Sequence, residues 1–250
     1  MAAGVLTLGL VAGVSTVPSA SATPHSTWCS AHNNVAIIGT SADTGYATSG
    51  YASPTDTWYP TTYGWATRFA NALHSEWGTN VQNYAHNGAM ASDFLPGGRW
   101  SDTVGAVADI QAHQPDLVII DLGGNEYNIQ KPPEQFQADL DTLVDNVRAA
   151  RPGVDILLSI YAEFIWKPNE WSPPTQSYTW ADYGAVIYTT AVAKGTALVD
   201  MRQYVPSEYA SQQPDPIPWS SDGIHLNEAG NLAEFGAFWG WASSLASICG

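Results

Sequence analysis

The sequence predicts an α/β protein, built as a three-layer αβα sandwich around a five-stranded parallel sheet. Predicted strands and helices alternate along the chain, and each strand is a continuous apolar run rather than an alternation of apolar and polar residues. Continuous apolar strands are typical of parallel sheets that are covered on both faces. No repeat, charge block or linker divides the 250 residues, a length that suits one large α/β domain.

Local signals place each element in turn. The first strand is the apolar run at residues 35–39, and the strongest is the run Leu-Val-Ile-Ile within 116–122. The clearest helix spans 133–151, because Pro133 stands at its start and apolar residues recur at helical spacing. The other strands are predicted at 81–85, 155–161 and 197–201, and the other helices at 64–77, 103–114, 179–194 and 227–245. Long loops are predicted at 46–63, 162–178 and 206–221.

The N-terminus has the pattern of a secretory signal. The first 22 residues contain no charged side chain, and the apolar run at 5–17 is followed by Ala20-Ser21-Ala22. We therefore expect residues 1–22 to be a signal peptide, residues 23–250 to be the mature domain, and the protein to be secreted. The alternative is a floppy terminus of small residues. The run is too short for a comfortable transmembrane helix, so we expect no stable membrane insertion.

Two cysteines, Cys29 and Cys249, stand near the two ends of the predicted mature chain. Domain termini often lie close together, and an exported protein meets oxidising conditions. We therefore predict a Cys29–Cys249 disulfide. The alternative is two free thiols in a reducing compartment.

Charge and composition exclude several classes of partner. Eight basic residues against 23 acidic ones give a formal net charge of −15, which disfavours nucleic acid because phosphate contacts need Lys and Arg. The sequence has no phosphate-binding loop. Five histidines show no metal-ligand spacing, namely His25, His32, His74, His86 and His113. We expect no metal, no cofactor and a monomer.

Polar residues follow the predicted strands, and in open parallel sheets active groups gather at the carboxyl ends of the strands. Ser41 lies just past the first strand, and Asp222 precedes His225 by three residues. A serine hydroxyl becomes a nucleophile when a histidine takes its proton, and a carboxylate commonly orients that imidazole. The alternative is that Ser41 caps a helix and that Asp222 and His225 are surface and capping residues.

Glycines and asparagines at two other strand ends indicate an anion site. Gly88 follows the second strand, and Asn125 follows the strongest strand in the sequence Gly123-Gly124-Asn125. The oxyanion of an acyl-transfer intermediate needs preorganised donors. The backbone N–H groups of Ser41 and Gly88 and the amide of Asn125 are the candidates. The alternative is ordinary turn chemistry.

These residues together resemble the SGNH (GDSL) hydrolase superfamily, in block order along the whole predicted mature chain. The matching positions are Gly39, Ser41 and Gly45 in the first block, Gly88 in the second, Gly123 and Asn125 in the third, and Asp222 and His225 in the fifth. Thr40 and Glu126 stand where the family usually has Asp. Neither position is one of the family's catalytic types. The α/β-hydrolase elbow Gly-x-Ser-x-Gly does not occur.

The resemblance implies a flavodoxin-like SGNH fold and a serine esterase that works through an acyl-enzyme. It carries the nucleophile to Ser41, the base to His225, the orienting acid to Asp222, and the oxyanion donors to Ser41, Gly88 and Asn125. We expect a small-molecule or polysaccharide ester as substrate, with short-chain acyl or acetyl groups preferred.

Three alternatives stay open. A lipase or phospholipase of the same superfamily would take longer acyl chains. A secreted carbohydrate-binding protein would keep the fold without catalysis, and the aromatic loops would suit it. Glu163 and Glu170 would suit a glycosidase pair, although nothing in the sequence sets their separation.

Overall fold

The computed structural model describes residues 26–162, 175–205, 219–220 and 222–249. The predicted signal peptide, His25, Glu163 and Glu170 lie outside these residues, as does most of the Pro-rich loop at 206–221.

A five-stranded parallel sheet forms the centre of the molecule, as predicted. Its strands are β1 (Asn34–Ile38), β2 (Asn80–Asn83), β3 (Leu117–Ile120), β4 (Asp155–Ile160) and β5 (Ala197–Asp200). Their spatial order is β2-β1-β3-β4-β5, and all four pairings are parallel. The chain therefore reverses direction across the sheet between β1 and β3, where such folds open a crevice at the carboxyl ends of the strands.

Helices cover both faces of the sheet. The described part of the chain contains α1 (Thr27–Ser30), α2 (Ser41–Thr44), α3 (Trp65–Trp77), α4 (Ser101–His113), α5 (Gly124–Asn128), α6 (Pro133–Ala150), α7 (Trp180–Lys194) and α8 (Glu228–Cys249). Short 3₁₀ helices occupy Ala91–Phe94 and Met201–Gln203.

Two apolar cores, one on each face, explain why the strands are apolar throughout. On β3, Val118 and Ile120 join the core beneath α4, α6 and α7, whereas Leu117 and Ile119 join the core beneath α3 and α8. Every residue of this strand is buried, and each such side chain contributes about 1.5–3 kcal/mol to folding.

The second core is built around α3 and α8. The ring of Trp65 stacks on that of Phe238, with centroids 4.3 Å apart, and both side chains are fully buried. This packing holds the C-terminal helix against the element that follows the first long loop. It therefore fixes the late part of the chain relative to β1.

The two segments that carry the cysteines lie side by side. In α1, the Nε1–H of Trp28 donates a hydrogen bond of 3.1 Å to the carbonyl of Ala242 in α8. Cys29 follows Trp28, and α8 ends at Cys249, whose side chain is outside the described part of the structure. The Cys29–Cys249 disulfide stays a prediction, and the packing of α1 on α8 supports it.

The structure differs from the sequence prediction in its short elements. β2 ends at Asn83 rather than at residue 85, because the side chain of Asn83 accepts the N–H of Ala85 and turns the chain. The final helix extends to Cys249 rather than to residue 245. The single-turn helices α1, α2 and α5 are too short to produce a periodic apolar pattern. Among the described helices, none is long and apolar enough to cross a membrane.

Candidate active site

The turn after β1 presents Ser41 at the first position of α2. The side chain of Thr40 accepts the N–H of Ala42 at 3.3 Å, and the carboxyl group of Asp43 accepts the N–H of Thr40 at 2.6 Å. These reciprocal bonds form a capping box, which fixes the start of a helix. Gly45 closes the turn at φ +91°, a conformation that favours glycine. Ser41 is thereby held where the carboxyl end of β1 meets the crevice.

Ser41, His225 and Asp222 form one continuous hydrogen-bonded chain. The Oγ of Ser41 lies 2.8 Å from Nε2 of His225, and Nδ1 of His225 lies 2.6 Å from Oδ2 of Asp222. With a proton on Nδ1 facing the carboxylate, Nε2 is free to accept the hydroxyl proton of Ser41. The three predicted residues are therefore brought together across 184 residues of sequence.

Backbone bonds hold Asp222 in place. Its Oδ1 accepts the N–H groups of Ile224 and His225 at 2.9 and 2.7 Å. Burial alone would raise the pKa of Asp222, but the hydrogen bonds from His225 and the two backbone groups outweigh it and lower the pKa below its ordinary value. The carboxylate therefore stays ionised at neutral pH and keeps His225 oriented.

Two further contacts orient the imidazole. Ser220 Oγ donates to the carbonyl of His225 at 2.8 Å and accepts the N–H of Gly223 at the same distance. The ring of Tyr46 lies against that of His225, with centroids 4.7 Å apart. His225 is only 7% exposed as a result.

The predicted oxyanion donors line the same cavity as Ser41 and His225. Within the described ranges, the N–H groups of Ser41 and Gly88 have no acceptor. The Nδ2 of Asn125 donates one hydrogen to the carbonyl of Ala89 at 2.9 Å, which leaves its second hydrogen available. Gly88 adopts φ +76°, and its carbonyl accepts Nη2 of Arg99 at 2.7 Å.

Two cavities of very different size adjoin Ser41. The inner cavity, about 30 Å³, is lined by Leu122, Tyr161 and Ile224 among others. The outer cavity, about 430 Å³, is lined by Tyr46, Asp56, Asn87, Met90 and Arg99 among others. A larger cavity of about 810 Å³ lies between α7, β5 and α8, and contains none of the predicted site residues.

Comparison with known proteins identifies the family of the chain. The pattern of the GDSL-like Lipase/Acylhydrolase family matches residues 47–233. The chain belongs to that family. It is thus a hydrolase of the SGNH superfamily that acts on esters. The matched segment begins after Ser41, so the family match does not test the predicted role of Ser41, which is supported by its contact with His225.

Solved structures of several esterases share the fold. A carbohydrate acetylesterase from Sinorhizobium meliloti is 20% identical with a TM-score of 0.64, and the alignment covers 86% of this chain and 99% of that one. An acetylxylan esterase from Geobacillus stearothermophilus is 20% identical with a TM-score of 0.60, covering 85% and 94%.

A two-domain esterase active on acetylated mannans is 16% identical with a TM-score of 0.61, and the alignment covers 86% of this chain and 50% of that one. The GDSL-like chain thus spans about half the length of that structure. A search of curated protein sequences found no significant match to this chain.

The two departures from the family pattern both have structural roles. Thr40 caps α2, as described above. Glu126 is fully buried and accepts the N–H of Ala91 at 2.7 Å and that of Gly123 at 3.1 Å. It thereby ties the turn after β3, which carries Asn125, to the segment that follows Gly88. Burial raises the pKa of Glu126 to about 7.

The histidines outside the site have structural surroundings. The ring of His86 stacks on Trp100 at 3.8 Å, and that of His32 stacks on Trp77 at 4.7 Å. His74 and His113 are exposed near the C-terminal ends of their helices. In the part of the chain that the structure describes, no group of His, Cys, Asp and Glu side chains is arranged to hold a metal ion.

Three buried acids lie near Ser41, and their burial was not predicted from the sequence. Asp43, Asp121 and Glu234 come from α2, the end of β3 and α8, and none is more than 3% exposed. The sequence Thr40-x-x-Asp43 is a capping signal, but its pattern does not say whether the cap is buried. Asp121 and Glu234 carry no motif.

Proposed function

We propose that this GDSL-like hydrolase is a secreted serine esterase that cleaves short-chain acyl esters, acetyl esters above all, through an acyl-enzyme. The observation that carries the proposal is the hydrogen-bonded chain Ser41–His225–Asp222 beside three converging donors. A hydroxyl in contact with an oriented imidazole is the arrangement that nucleophilic acyl transfer needs.

In the first half of the reaction, Ser41 Oγ attacks the ester carbonyl and its proton moves to Nε2 of His225. The carbonyl oxygen becomes an oxyanion, held by the N–H groups of Ser41 and Gly88 and by the amide of Asn125. The carbon–oxygen bond to the alcohol breaks, and His225 gives its proton to the leaving alkoxide. Asp222 remains ionised and stabilises the imidazolium.

Deacylation repeats these steps with water. His225 takes a proton from water, whose oxygen attacks the acyl carbon and forms a second oxyanion at the same donors. The bond to Ser41 Oγ breaks, and His225 returns the proton to the serine. The carboxylic acid leaves and the free enzyme is restored. This scheme uses only side chains and backbone groups of the protein.

The two cavities support a division of the substrate. A cavity needs a volume of at least about 10–15 Å³ to hold one water molecule. The inner cavity, at about 30 Å³, therefore has room for an acetyl methyl group and little more. The outer cavity is large enough for the alcohol, and Asp56 and Arg99 offer its hydroxyl groups an acceptor and a donor. The structural relatives that act on acetylated carbohydrates support a polysaccharide or small-molecule ester as substrate.

Secretion and the domain limits belong to the same proposal. They rest on the apolar N-terminal segment and on the small residues Ala20-Ser21-Ala22 that follow it. We propose that residues 23–250 are the mature, monomeric enzyme. Sequencing the N-terminus of protein recovered from the culture medium tests this, and a mature protein that retains residues 1–22 contradicts it.

The test of the catalytic proposal is turnover of p-nitrophenyl esters of increasing acyl length. We expect acetate to have the highest kcat/KM and Ser41→Ala to lose activity by several orders of magnitude. Ser75→Ala is the matched control, because Ser75 is exposed on α3, and it should keep wild-type activity. Equal activity of wild type and Ser41→Ala would refute the mechanism. A preference for long chains would instead favour the lipase or phospholipase alternative.

A carbohydrate-binding protein without catalysis is the second candidate. Tyr46 and Tyr59 are each 38% exposed, and Tyr46 lines the outer cavity, where a sugar ring would contact it. Binding of xylan or mannan oligosaccharides in calorimetry, without release of acetate from their acetylated forms, would favour this candidate over the esterase.

A further inference from the structure

The turn that presents Ser41 is built around a buried carboxyl group. Asp43 is fully buried, and its Oδ2 lies 2.6 Å from the backbone nitrogen of Thr40. A Cβ on Gly39 would lie 2.1 Å from that same oxygen. Gly39 and Asp43 therefore fit each other: the glycine leaves the space that the carboxyl group fills. The residue before the nucleophile is held by Asp43.

Asp43 has a second buried carboxyl group, that of Asp121, as its electrostatic neighbour. Oδ1 of Asp43 and Oδ2 of Asp121 are both buried. Neither oxygen has a hydrogen-bond partner within the described part of the chain. Each of the two acids affects the pKa of the other. Two neighbouring carboxylates in a low-dielectric interior do not both ionise readily, and a single proton shared between them would give each buried oxygen a partner.

The surroundings of the pair contain further acids. Glu234 of α8 is fully buried, and Coulomb repulsion couples it to Asp43 and Asp121. Trp65 of α3 and Ser159 of β4 are the neutral donors that face the pair, and Tyr161 is the remaining titratable neighbour. Among described residues, no basic side chain contributes to the pKa shift of Asp121 or Glu234.

These surroundings favour the protonated acids. Burial, followed by repulsion from Asp121, raises the pKa of Asp43 well above its ordinary range. Burial also raises the pKa of Asp121 to about 7 and that of Glu234 well above its usual value. The hydrogen bond from the backbone N–H of Thr40 and the interaction with the Trp65 side chain both lower the pKa of Asp43. They do not reverse the increase caused by burial.

We propose that Asp43 is a positioning residue for Ser41 and that it works as a neutral carboxylic acid. Its carbonyl oxygen, Oδ2, holds the N–H of Thr40, and its hydroxyl, on Oδ1, donates to Asp121. The hydrogen bond to Thr40 is a brace that fixes the turn that carries Ser41. The chain has Thr40 at the position where the family usually has Asp, so Asp43 is the carboxyl group that stabilises this turn. The inference rests on the proposed role of Ser41 as nucleophile.

The consequence is a link between protonation and catalysis. When Asp43 loses its proton, the negative charges of Asp43 and Asp121 repel each other, and no basic side chain of the described residues contributes to offset them. The carboxyl group then withdraws from Thr40, and the turn that carries Ser41 shifts relative to His225. A displacement of about 1 Å costs an enzyme about 10²-fold in rate. Activity should therefore fall at alkaline pH.

Substitutions of Asp43 separate the brace from the charge. Asp43→Asn keeps an oxygen that accepts the N–H of Thr40 and an N–H that can donate to Asp121, so we expect its kcat to stay within about threefold of wild type. We expect the loss of activity at alkaline pH, the alkaline limb of the pH–rate profile, to be shifted to higher pH or absent. Asp43→Ala removes the brace, so we expect kcat to fall about tenfold to hundredfold with KM little changed.

The chain offers a matched control in Asp182. It caps α7 through the same Thr-x-x-Asp pattern and accepts the N–H of Thr179 at 2.7 Å, but it lies on the surface. Hydrogen bonds from Thr179 lower its pKa, so this second box works in ionised form. Asp182→Ala should reduce stability and leave the kcat and pH profile unchanged.

The experiment measures kcat and KM for p-nitrophenyl acetate from pH 5 to 10, with the backbone amide of Thr40 followed by NMR over the same range. The amide signal should titrate in wild type together with the alkaline limb and should not titrate in Asp43→Asn. Wild-type kcat in a folded Asp43→Ala, or an unchanged alkaline limb in Asp43→Asn, would overturn the inference. If Asp43→Ala fails to fold, Asp43→Asn decides. If the wild type is inactive, the esterase proposal fails, and the NMR titration still tests the state of Asp43.

Discussion

Glu126 links the two loops that carry the proposed oxyanion donors Gly88 and Asn125, and its removal should be measurable as lost stability. Its two carboxyl oxygens each accept one buried backbone N–H, from Ala91 and Gly123. A buried donor left without a partner costs about 1–3 kcal/mol. Glu126→Ala leaves two such donors, so we expect the free energy of unfolding to fall by about 2–6 kcal/mol. Glu126→Gln keeps one acceptor and should lose about 1–3 kcal/mol.

The same residue makes a prediction about pH. The pKa of Glu126 is raised from 4.5 to about 7, so the folded state binds this proton more tightly than the unfolded state. Stability from this group is therefore complete below the unfolded pKa and decreases as pH rises toward about 7, by roughly 3 kcal/mol in all. Above that pH its contribution is constant. Glu126→Gln cannot titrate, so it should lose this part of the pH dependence.

Urea unfolding followed by tryptophan fluorescence measures both effects. Wild type, Glu126→Gln and Glu126→Ala are compared at pH 5 and at pH 7.5, and the difference between proteins cancels the contribution of the other buried acids. A Glu126→Ala variant within about 0.5 kcal/mol of wild type would refute the assigned hydrogen bonds. An identical pH dependence in Glu126→Gln would refute the assigned titration.

Three further substitutions test the site. Asp222→Asn should lower kcat by about 10⁴-fold, because His225 would lose the partner that selects its tautomer. Steady-state kinetics measures this, and a loss of less than tenfold contradicts it. Gly88→Ala should destabilise the fold by about 1–2 kcal/mol, because a residue with a Cβ is strained at the φ of +76° that Gly88 adopts. The added Cβ would meet open space, so no steric clash contributes. Thermal unfolding measures the effect, and an unchanged Tm would exclude backbone strain. Leu122→Ala should enlarge the inner cavity and raise the kcat/KM ratio of butanoate to acetate about 10-fold or more, whereas an unchanged ratio would place the acyl group elsewhere.

The sheet and the catalytic pattern could both be predicted from sequence for physical reasons. Val118 and its neighbours in β3 face apolar cores on both sides of the sheet, so a continuous apolar run was a sufficient signal. Ser41 and Asn125 stand directly after strands of a parallel sheet, whose carboxyl ends meet at one edge. Sequence order and strand direction were therefore enough to place them in one crevice.

The brace beneath Ser41 could not be predicted, because its character depends on distant parts of the chain. Asp43 and Asp182 have the same local pattern, three residues after a threonine. One is buried beside Asp121 and Glu234, and the other lies on the surface. The packing of β3, α3 and α8 around Asp43 distinguishes them, and a local pattern carries no information about that packing.

The long sequence separation between Ser41 and His225 has a consequence for synthesis of the enzyme. The ribosome completes the segment with Ser41, Gly88 and Asn125 long before it reaches His225. Under the proposed mechanism, a growing chain therefore has no base beside Ser41 and cannot turn over esters until the segment that carries His225 has joined the fold. The same division makes the protein a natural candidate for a split reporter: a fragment that ends after β4 and a fragment that begins at α7 would each be silent, and ester hydrolysis would report their assembly.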